Sequence, residues 1–152
     1  MLQPKKFKFN VFQKKRKTTF FKKCNLIYGH LGLKLLSSFL ISSNFLFRTN
    51  MFIKKSTKRS EKTLRKFWCT VFPNQPLTKK PQGSRMGKGK GKRITWGLLV
   101  KSGFFLYELK NLRFGRGFFY LYQLKKKIPC KVLIFSKSHV FKKNCIFNYR
   151  FI

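Results

Sequence analysis

The residues best suited to chemistry in this chain lie together between positions 78 and 93, in the run T-K-K-P-Q-G-S-R-M-G-K-G-K-G-K-R. These sixteen residues include seven lysines and arginines, four glycines and no acid. Glycine lets a backbone approach another surface closely and adopt positive φ at little steric cost, and each cation can neutralise a phosphate. The run has almost nothing apolar to bury, so it is not part of a core. We interpret it as an element that binds a polyanion, although a basic linker of low complexity would have the same composition.

Catalytic chemistry is poorly supplied elsewhere in the chain. Glu61 and Glu108 are the only acids, and neither His30 nor His139 has an obvious orienting carboxylate in the sequence. The glycine-lysine run matches neither the Walker A pattern nor the dinucleotide-binding fingerprint. We therefore expect no catalytic residue, no enzymatic activity and no cofactor.

The cysteines give no sign of a metal site. They are widely spaced, form no C-x-x-C pair and lie at Cys24, Cys69, Cys130 and Cys145. Structural zinc sites usually bring such pairs together with a second pair of cysteines or histidines. We expect no metal, and we interpret these residues as small hydrophobic side chains, the last of them in a tail where it could be exposed.

Composition indicates a folded domain with a cationic surface. The 152 residues include 37 lysines and arginines against two acids, a net charge of +35, yet 43% are hydrophobic and twenty are phenylalanine. This length suits one domain. Charge repulsion of this size opposes compaction, so we expect the isolated chain to fold poorly and a bound polyanion to stabilise it.

Nucleic acid is the favoured polyanion, and an anionic membrane is the alternative. A membrane-surface protein usually carries one long amphipathic basic helix, whereas the charge here is spread over both termini and the glycine-lysine run. The most apolar stretch, 33–47, is fifteen residues long and contains a lysine, so it is too short to span a bilayer.

Hydrophobic patterns predict a mostly antiparallel sheet with two helices on one of its faces, an α+β domain with the element order β-α-β-β-β-α-β. Pro73 and Pro76 are expected to end the second strand, and the segment 101–103 is expected to join the next two strands as a hairpin. Helix N-cap candidates are Ser42, Ser43 and Asn44. The predicted strands cover 28–36, 67–72, 94–100, 104–109 and 130–135, the predicted helices 45–59 and 115–127, a linker 61–65 and a long loop 73–93.

A basic arm precedes this domain. In residues 1–25, Phe7 and Phe9 alternate with Lys6 and Lys8, which favours a short strand or an extended arm. Phenylalanines in such an arm could stack on unpaired bases. We favour the alternative that they pack on the body of the domain.

Several motifs together resemble one family. The run P-L-T-K-K-P-x-x-x-R-M-G-K-G-K-G at 76–91 is similar to the signature of the bacterial-type large-subunit ribosomal protein L-sixteen family. Shorter segments resemble the same family in the same order: M-L-Q-P-K at 1–5, G-L-K at 32–34, W-x-x-V-F-P at 68–73, L-Y-E at 106–108 and I-P-C-K at 128–131. The resemblance extends over roughly residues 1–137.

The resemblance implies a structural role in the large ribosomal subunit. It implies that the basic loop reaches toward the peptidyl transferase and aminoacyl-tRNA region, where the protein shapes RNA, supports tRNA accommodation and completes subunit assembly. Expected partners are large-subunit rRNA, tRNA near the aminoacyl site and neighbouring ribosomal proteins, with neither a membrane nor a second copy of the chain. The predicted RNA-binding residues are Lys79, Lys80, Arg85, Met86, Gly87, Lys88, Gly89, Lys90, Gly91, Lys92 and Arg93 in the loop, and Lys5, Lys6, Lys8, Lys14, Lys15, Arg16 and Lys17 in the arm.

Three regions follow from this interpretation: the arm 1–25, an RNA-binding domain 26–137 and a basic extension 138–152 beyond the family's common end. The extension would either make an added contact or be disordered. Frequent Phe, Lys, Ile and Asn are typical of an A+T-rich genome, and the family-like start at Met1 leaves no room for a cleaved import sequence. We therefore expect a mitochondrial ribosome, with a plastid or an A+T-rich bacterium as alternatives. The alternative function is a free-standing basic protein that binds RNA or an anionic membrane.

Overall fold

The structure, a computed structural model, describes residues 2–13, 24–58, 66–87 and 89–137. Within these residues the chain forms seven strands and two helices. In chain order they are β1 (Leu31–Leu35), β2 (Phe39–Ser42), α1 (Ser43–Lys58), β3 (Phe67–Cys69), β4 (Gln75–Thr78), β5 (Arg93–Val100), β6 (Phe105–Leu109), α2 (Phe114–Lys127) and β7 (Val132–Ser136).

The strands form two antiparallel sheets. One has the order β3-β6-β1-β7 and the other the order β2-β5-β4. The α+β class is confirmed, but the strands are divided between two sheets where a single sheet was expected. Helix α2 packs on β1 and β7 of the first sheet, and α1 packs on β2 and β5 of the second.

The predicted hairpin between β5 and β6 is wrong, because these strands lie in different sheets. Backbone hydrogen bonds at the start of β6 explain the separation. The N–H of Gly103 donates to the carbonyl of Leu35, 2.6 Å away, and the N–H of Leu35 donates to the carbonyl of Phe104 at 2.9 Å. Both strand edges of β6 are then taken by β1 and β3. The turn therefore carries the chain from one sheet to the other.

Two short strands were missed by the sequence prediction. The four-residue strand β2 follows β1 closely and pairs with β5. Strand β4 contains Pro76, which was expected to end a strand. Because β4 is an edge strand, a residue without an N–H is tolerated there. Residues 75–78 of the predicted loop consequently belong to the sheet.

The helices lie close to their predicted positions. The N–H of Phe45 donates to the hydroxyl of Ser42 at 3.4 Å, so Ser42 caps α1 as predicted. A shared core joins both sheets and both helices, and its fully buried members include Leu33, Leu35, Ile41, Leu46, Ile53, Leu106, Leu109, Leu121 and Leu124. Neither helix in the described ranges is long and apolar enough to cross a membrane.

Candidate nucleic-acid interface

The candidate interface is a loop that extends from the β4–β5 pair. Thr78 at the end of β4 lies opposite Arg93 at the start of β5. The N–H of Lys79 then donates to the carbonyl of Lys92 at 3.3 Å, which closes the stem of the loop. Residues 79–87 and 89–92 form no helix or strand, and most of them are exposed. The sheet thus holds the two ends of the basic segment side by side and directs its middle into solvent.

Two glycines in this segment are needed for different physical reasons. Gly87 adopts a φ of +92°, a left-handed conformation that side chains disfavour, although the space around it is open. At Gly91 the limitation is space, because an added Cβ would lie 2.3 Å from the carbonyl oxygen of Lys79. Gly91 therefore permits the narrow stem, and Gly87 permits the turn at the tip.

The loop's cations divide into those that shape it and those that face outward. The ammonium group of Lys80 donates to the carbonyl of Gly87 and so bridges the loop from one side to the other. Lys79, Arg85 and Lys92 are exposed. Met86 is 100% exposed at the tip, so within the described residues its side chain has nothing to pack against. The tip presents a guanidinium group and a polarisable thioether to whatever the loop contacts.

Glu108 is the acidic residue of the described ranges, and it does not face the loop. Its side chain is 1% exposed. Its carboxylate accepts hydrogen bonds from three successive backbone N–H groups, those of Ile27 at 3.1 Å, Tyr28 at 2.7 Å and Gly29 at 2.8 Å. The carboxylate therefore fixes the segment that leads into β1, and the described part of the chain offers no other carboxylate to neutralise the loop.

The N-terminal arm is docked against the stem of this loop. The guanidinium group of Arg93 lies 4.8 Å from the centre of the Phe7 ring and 4.6 Å from that of Trp96. The two rings also touch edge to face, with centroids 5.1 Å apart and planes inclined at 63°. Both geometries are favourable for aromatic and cation–π contacts. We call these three residues the Phe7–Arg93–Trp96 cluster.

Polar contacts reinforce this docking on either side of the cluster. The ammonium group of Lys90 donates to the carbonyl of Phe12 at 2.9 Å, and the guanidinium group of Arg93 donates to the side-chain oxygen of Asn10 at 3.4 Å. The arm therefore runs along the loop stem over at least the residues 7–12.

A β-bulge places Arg93 on the face of Trp96. In a regular strand, residues three apart point to opposite faces. Here Leu77 lies opposite Thr95 while Thr78 lies opposite Arg93, so Ile94 is the extra residue of β5. A bulge shifts the alternation by one position. This shift brings the guanidinium group over the indole ring.

The structure brings part of the predicted arm and the predicted loop together. Lys5, Lys6 and Lys8 are exposed on the docked arm. Phe7 packs on the body, as favoured from the sequence, while Phe9 is more exposed and lies 5.6 Å from the ammonium group of Lys8. Predicted residues and segments outside the described ranges are Lys14, Lys15, Arg16, Lys17, Lys88, the linker 61–65 and the extension 138–152.

Asn10 and Trp96 were missed by sequence reasoning. Trp96 reads as an ordinary core residue of a strand, and its 4% exposure agrees with that interpretation. Its contact with a cation has one possible signal in the sequence, which is Arg93 three positions earlier. That spacing places the two side chains together only because of the bulge at Ile94, which the sequence does not reveal.

Metal and thiol chemistry find no support in the described part of the chain, where no three histidine, cysteine or acidic side chains cluster. Burial raises the pKa of the Cys69 thiol, and the same cause raises the pKa of Cys130. A raised thiol pKa leaves less of the reactive thiolate at neutral pH. Both side chains are partly buried and pack against the hydrophobic core.

Two comparisons with known proteins identify the family of this chain. The sequence profile of the family described as "Ribosomal protein L16p/L10e" matches residues 4–135. A "Large ribosomal subunit protein uL16" of Buchnera aphidicola subsp. Cinara cedri (strain Cc) is 32% identical over 137 residues, which cover 90% of this chain and 98% of the relative. A protein with the same name from Wigglesworthia glossinidia brevipalpis is 38% identical over 112 residues, which cover 74% of this chain and 79% of the relative. The resemblance found in the loop signature is confirmed, and the chain belongs to the ribosomal protein L16p/L10e family, the structural, non-enzymatic uL16 proteins of the large ribosomal subunit.

Proposed function

We propose that this large-subunit protein binds rRNA through its arm and its basic loop and places the loop tip beside the aminoacyl-tRNA path. The observation that carries the proposal is a narrow, cation-rich loop held outward by a sheet, while Glu108, the carboxylate of the described ranges, is buried in the body. RNA is the ribosomal component whose density of negative charge matches the density of positive charge in this loop.

The shape of the loop supports contact with closely spaced phosphates. Its stem is narrow because Gly91 lets the backbone approach Lys79. The exposed cations Lys79, Arg85 and Lys92 lie along this narrow element. Each phosphate contact made by such groups releases counterions, so binding should weaken as salt rises, with a logarithmic slope of about −0.7 to −0.9 per contact.

Support for the tRNA side of the proposal comes from the tip. A fully exposed methionine between Arg85 and Gly87 is an apolar group that packs on none of the residues the structure describes. In a folded ribosome it would pack on a base or a ribose, while the arginine beside it would bind a phosphate. The tip therefore suits contact with a nucleotide.

The experiment that tests the tip is a double substitution of Arg85→Ala and Lys88→Ala. We expect slower tRNA accommodation or slower subunit maturation, with normal folding of the protein. Lys101→Ala is the control, since Lys101 is exposed and follows the far end of β5, about 25 Å from Arg93 along the strand at 3.3 Å per residue. Normal accommodation in ribosomes that carry the double variant would contradict the proposed role of the loop.

Sedimentation separates this function from that of a free-standing basic protein. A ribosomal constituent co-migrates with the large subunit in a one-to-one ratio, and the association survives moderate salt. A protein held by charge alone would dissociate as the salt is raised, because its contacts would be screened. Loss of the chain from the subunit peak at moderate salt would favour the free-standing alternative.

We further propose that the ribosome concerned is mitochondrial. The support is compositional: phenylalanine and lysine are unusually frequent, as expected for an A+T-rich coding sequence. Mass spectrometry of large subunits purified from isolated mitochondria tests this, with plastid and cytosolic ribosomes of the same cells as controls. Recovery of the chain from either control and not from mitochondria would contradict it.

A further inference from the structure

We infer that Arg93 is a positioning residue that joins the arm to the loop, so that the two basic segments engage RNA as one rigid unit. The inference rests on the proposed function and changes one part of it. Arg93 was predicted to contact RNA as a residue of the loop. Its guanidinium group instead lies against two aromatic rings of the protein itself.

The packing of the Phe7–Arg93–Trp96 cluster supports a defined joint. Trp96 is 4% exposed, and Phe7 is among the residues that touch it. Phe7 itself remains 47% exposed, because it lies on the surface of the body. Arg93 thus has an aromatic partner from the body and another from the arm, and the edge-to-face contact of the two rings completes the cluster.

Electrostatics make this contact informative. The arm and the loop are both cationic, so their charges repel each other in the absence of RNA. The two segments are nevertheless adjacent, held by the cluster and by the bonds from Lys90 and Arg93 to the arm. The arm therefore keeps its position on the stem through contacts between side chains of this protein, in spite of the charge repulsion.

The mechanical consequence concerns the direction of the loop. The stem is a two-stranded extension of an edge of the sheet, with a bulge at Ile94. Such an extension can swing about its base. When the arm is bound along RNA and joined to the stem through Arg93, the stem has two points of support. Substitution of Phe7, which is outside the loop, should then misplace the loop tip.

The contact itself is tested by photo-crosslinking in assembled large subunits. A full-length chain with p-benzoylphenylalanine in place of Phe7 should crosslink to the β5 peptide that contains Arg93 and Trp96, as read by mass spectrometry. The same group in place of Phe119, which is exposed on α2 against the other sheet, is the control and should not reach that peptide. If the probe at position 7 crosslinks to RNA or to another protein instead, the inference is wrong, whatever the function of the loop.

Hydroxyl-radical footprinting of the same subunits tests the consequence. We expect Phe7→Ala and Arg93→Gln each to lose the RNA protections that depend on the loop tip, and the double variant to lose no more than either single variant. Phe9→Ala should keep them. Phe7→Ala subunits that lose only the arm's own protections and retain those of the loop would overturn the inference.

Arg93→Lys distinguishes a positioning role from a phosphate contact. Lysine keeps the charge but not the flat guanidinium group that stacks on two rings and also donates to Asn10. We expect Arg93→Lys to resemble Arg93→Gln in the footprint. Full recovery with lysine would identify Arg93 as a simple phosphate contact. If the parent loop protects no RNA at all, the proposed function fails, while the crosslink still decides the contact between arm and stem.

Discussion

Several single residues of the loop determine its shape and do not themselves offer a group to a partner. Gly91 is needed because the backbone carbonyl of Lys79 occupies the space that a side chain would take. The ammonium group of Lys80 donates to the carbonyl of Gly87 and is therefore directed into the loop. A count of cations therefore overestimates the groups available to RNA. The residues that remain exposed, such as Arg85, are the ones whose removal should reduce the salt dependence of binding.

Gly91→Ala should open the stem. The added methyl group would lie 2.3 Å from a carbonyl oxygen, and overpacking of this kind costs about 1–3 kcal/mol. We expect weaker RNA binding and a lower free energy of unfolding, measured by urea denaturation in the presence of an rRNA fragment. Gly115→Ala is the matched control, because nothing lies within 4 Å of an added Cβ there. Alanine at this helical position should be neutral or stabilise by up to about 1 kcal/mol. Equal effects of the two substitutions would contradict the steric explanation.

Glu108→Gln should loosen the segment that joins the arm to β1. The carboxylate accepts from three successive backbone N–H groups, whereas glutamine offers one oxygen and turns an N–H₂ group toward those donors. Hydrogen bonds to charged groups contribute about 1.5–3 kcal/mol, and we expect a loss of stability in that range. Because the site is buried, the loss should persist at high salt. A loss that disappears on screening would indicate a surface ion pair instead.

At the level of elements, the sequence predicted what is local and missed what is long-range. The two helices follow from their amphipathic spacing, and Ser42 from its capping chemistry. Strand β5 pairs with β2 and β4, and each of these strands has only four residues. Four residues are too few to show the alternation of apolar and polar side chains that predicts a strand. The approximate position of the loop was predictable, because a run of glycine and lysine has almost no apolar side chains to bury in a sheet or a helix. Its contact with the arm was not, since it depends on the bulge at Ile94.

Helix α1 is tied to the first sheet through Tyr107, whose hydroxyl lies 2.5 Å from that of Thr49. Burial is the main cause of a pKa of Tyr107 well above its ordinary value. The neutral phenol is thus favoured in the folded state, and its contribution is fully present below the ordinary tyrosine pKa of about 10. As the pH rises beyond that value, ionisation in the unfolded state lowers stability. Between about pH 9 and 11 we therefore expect the free energy of unfolding to fall less for the Tyr107→Phe variant than for the parent protein. Denaturation of both proteins at each pH measures this. Parallel pH profiles for the two proteins would contradict this.

The whole molecule combines a compact apolar core with a surface that repels itself. One cluster of buried side chains joins both sheets and both helices. Around it lies a net charge of +35, with Glu108 enclosed in the body. The basic arm and the basic loop are held side by side at one end of β5. In the proposed function, the phosphates of rRNA would balance the charge that so few acids leave unpaired.

The isolated chain should therefore fold poorly at low salt and fold when RNA is added. At about 10 mM salt the Debye length is about 30 Å, so nearly all surface charges repel one another. An rRNA fragment at 100 times its dissociation constant would stabilise the native state by about 2.7 kcal/mol through binding alone. Near-ultraviolet circular dichroism should show tertiary structure appearing as the fragment is added, and an uncharged polymer at equal mass should not reproduce it. A cooperative unfolding transition of the purified chain at low salt, without RNA, would show that the core withstands the repulsion unaided.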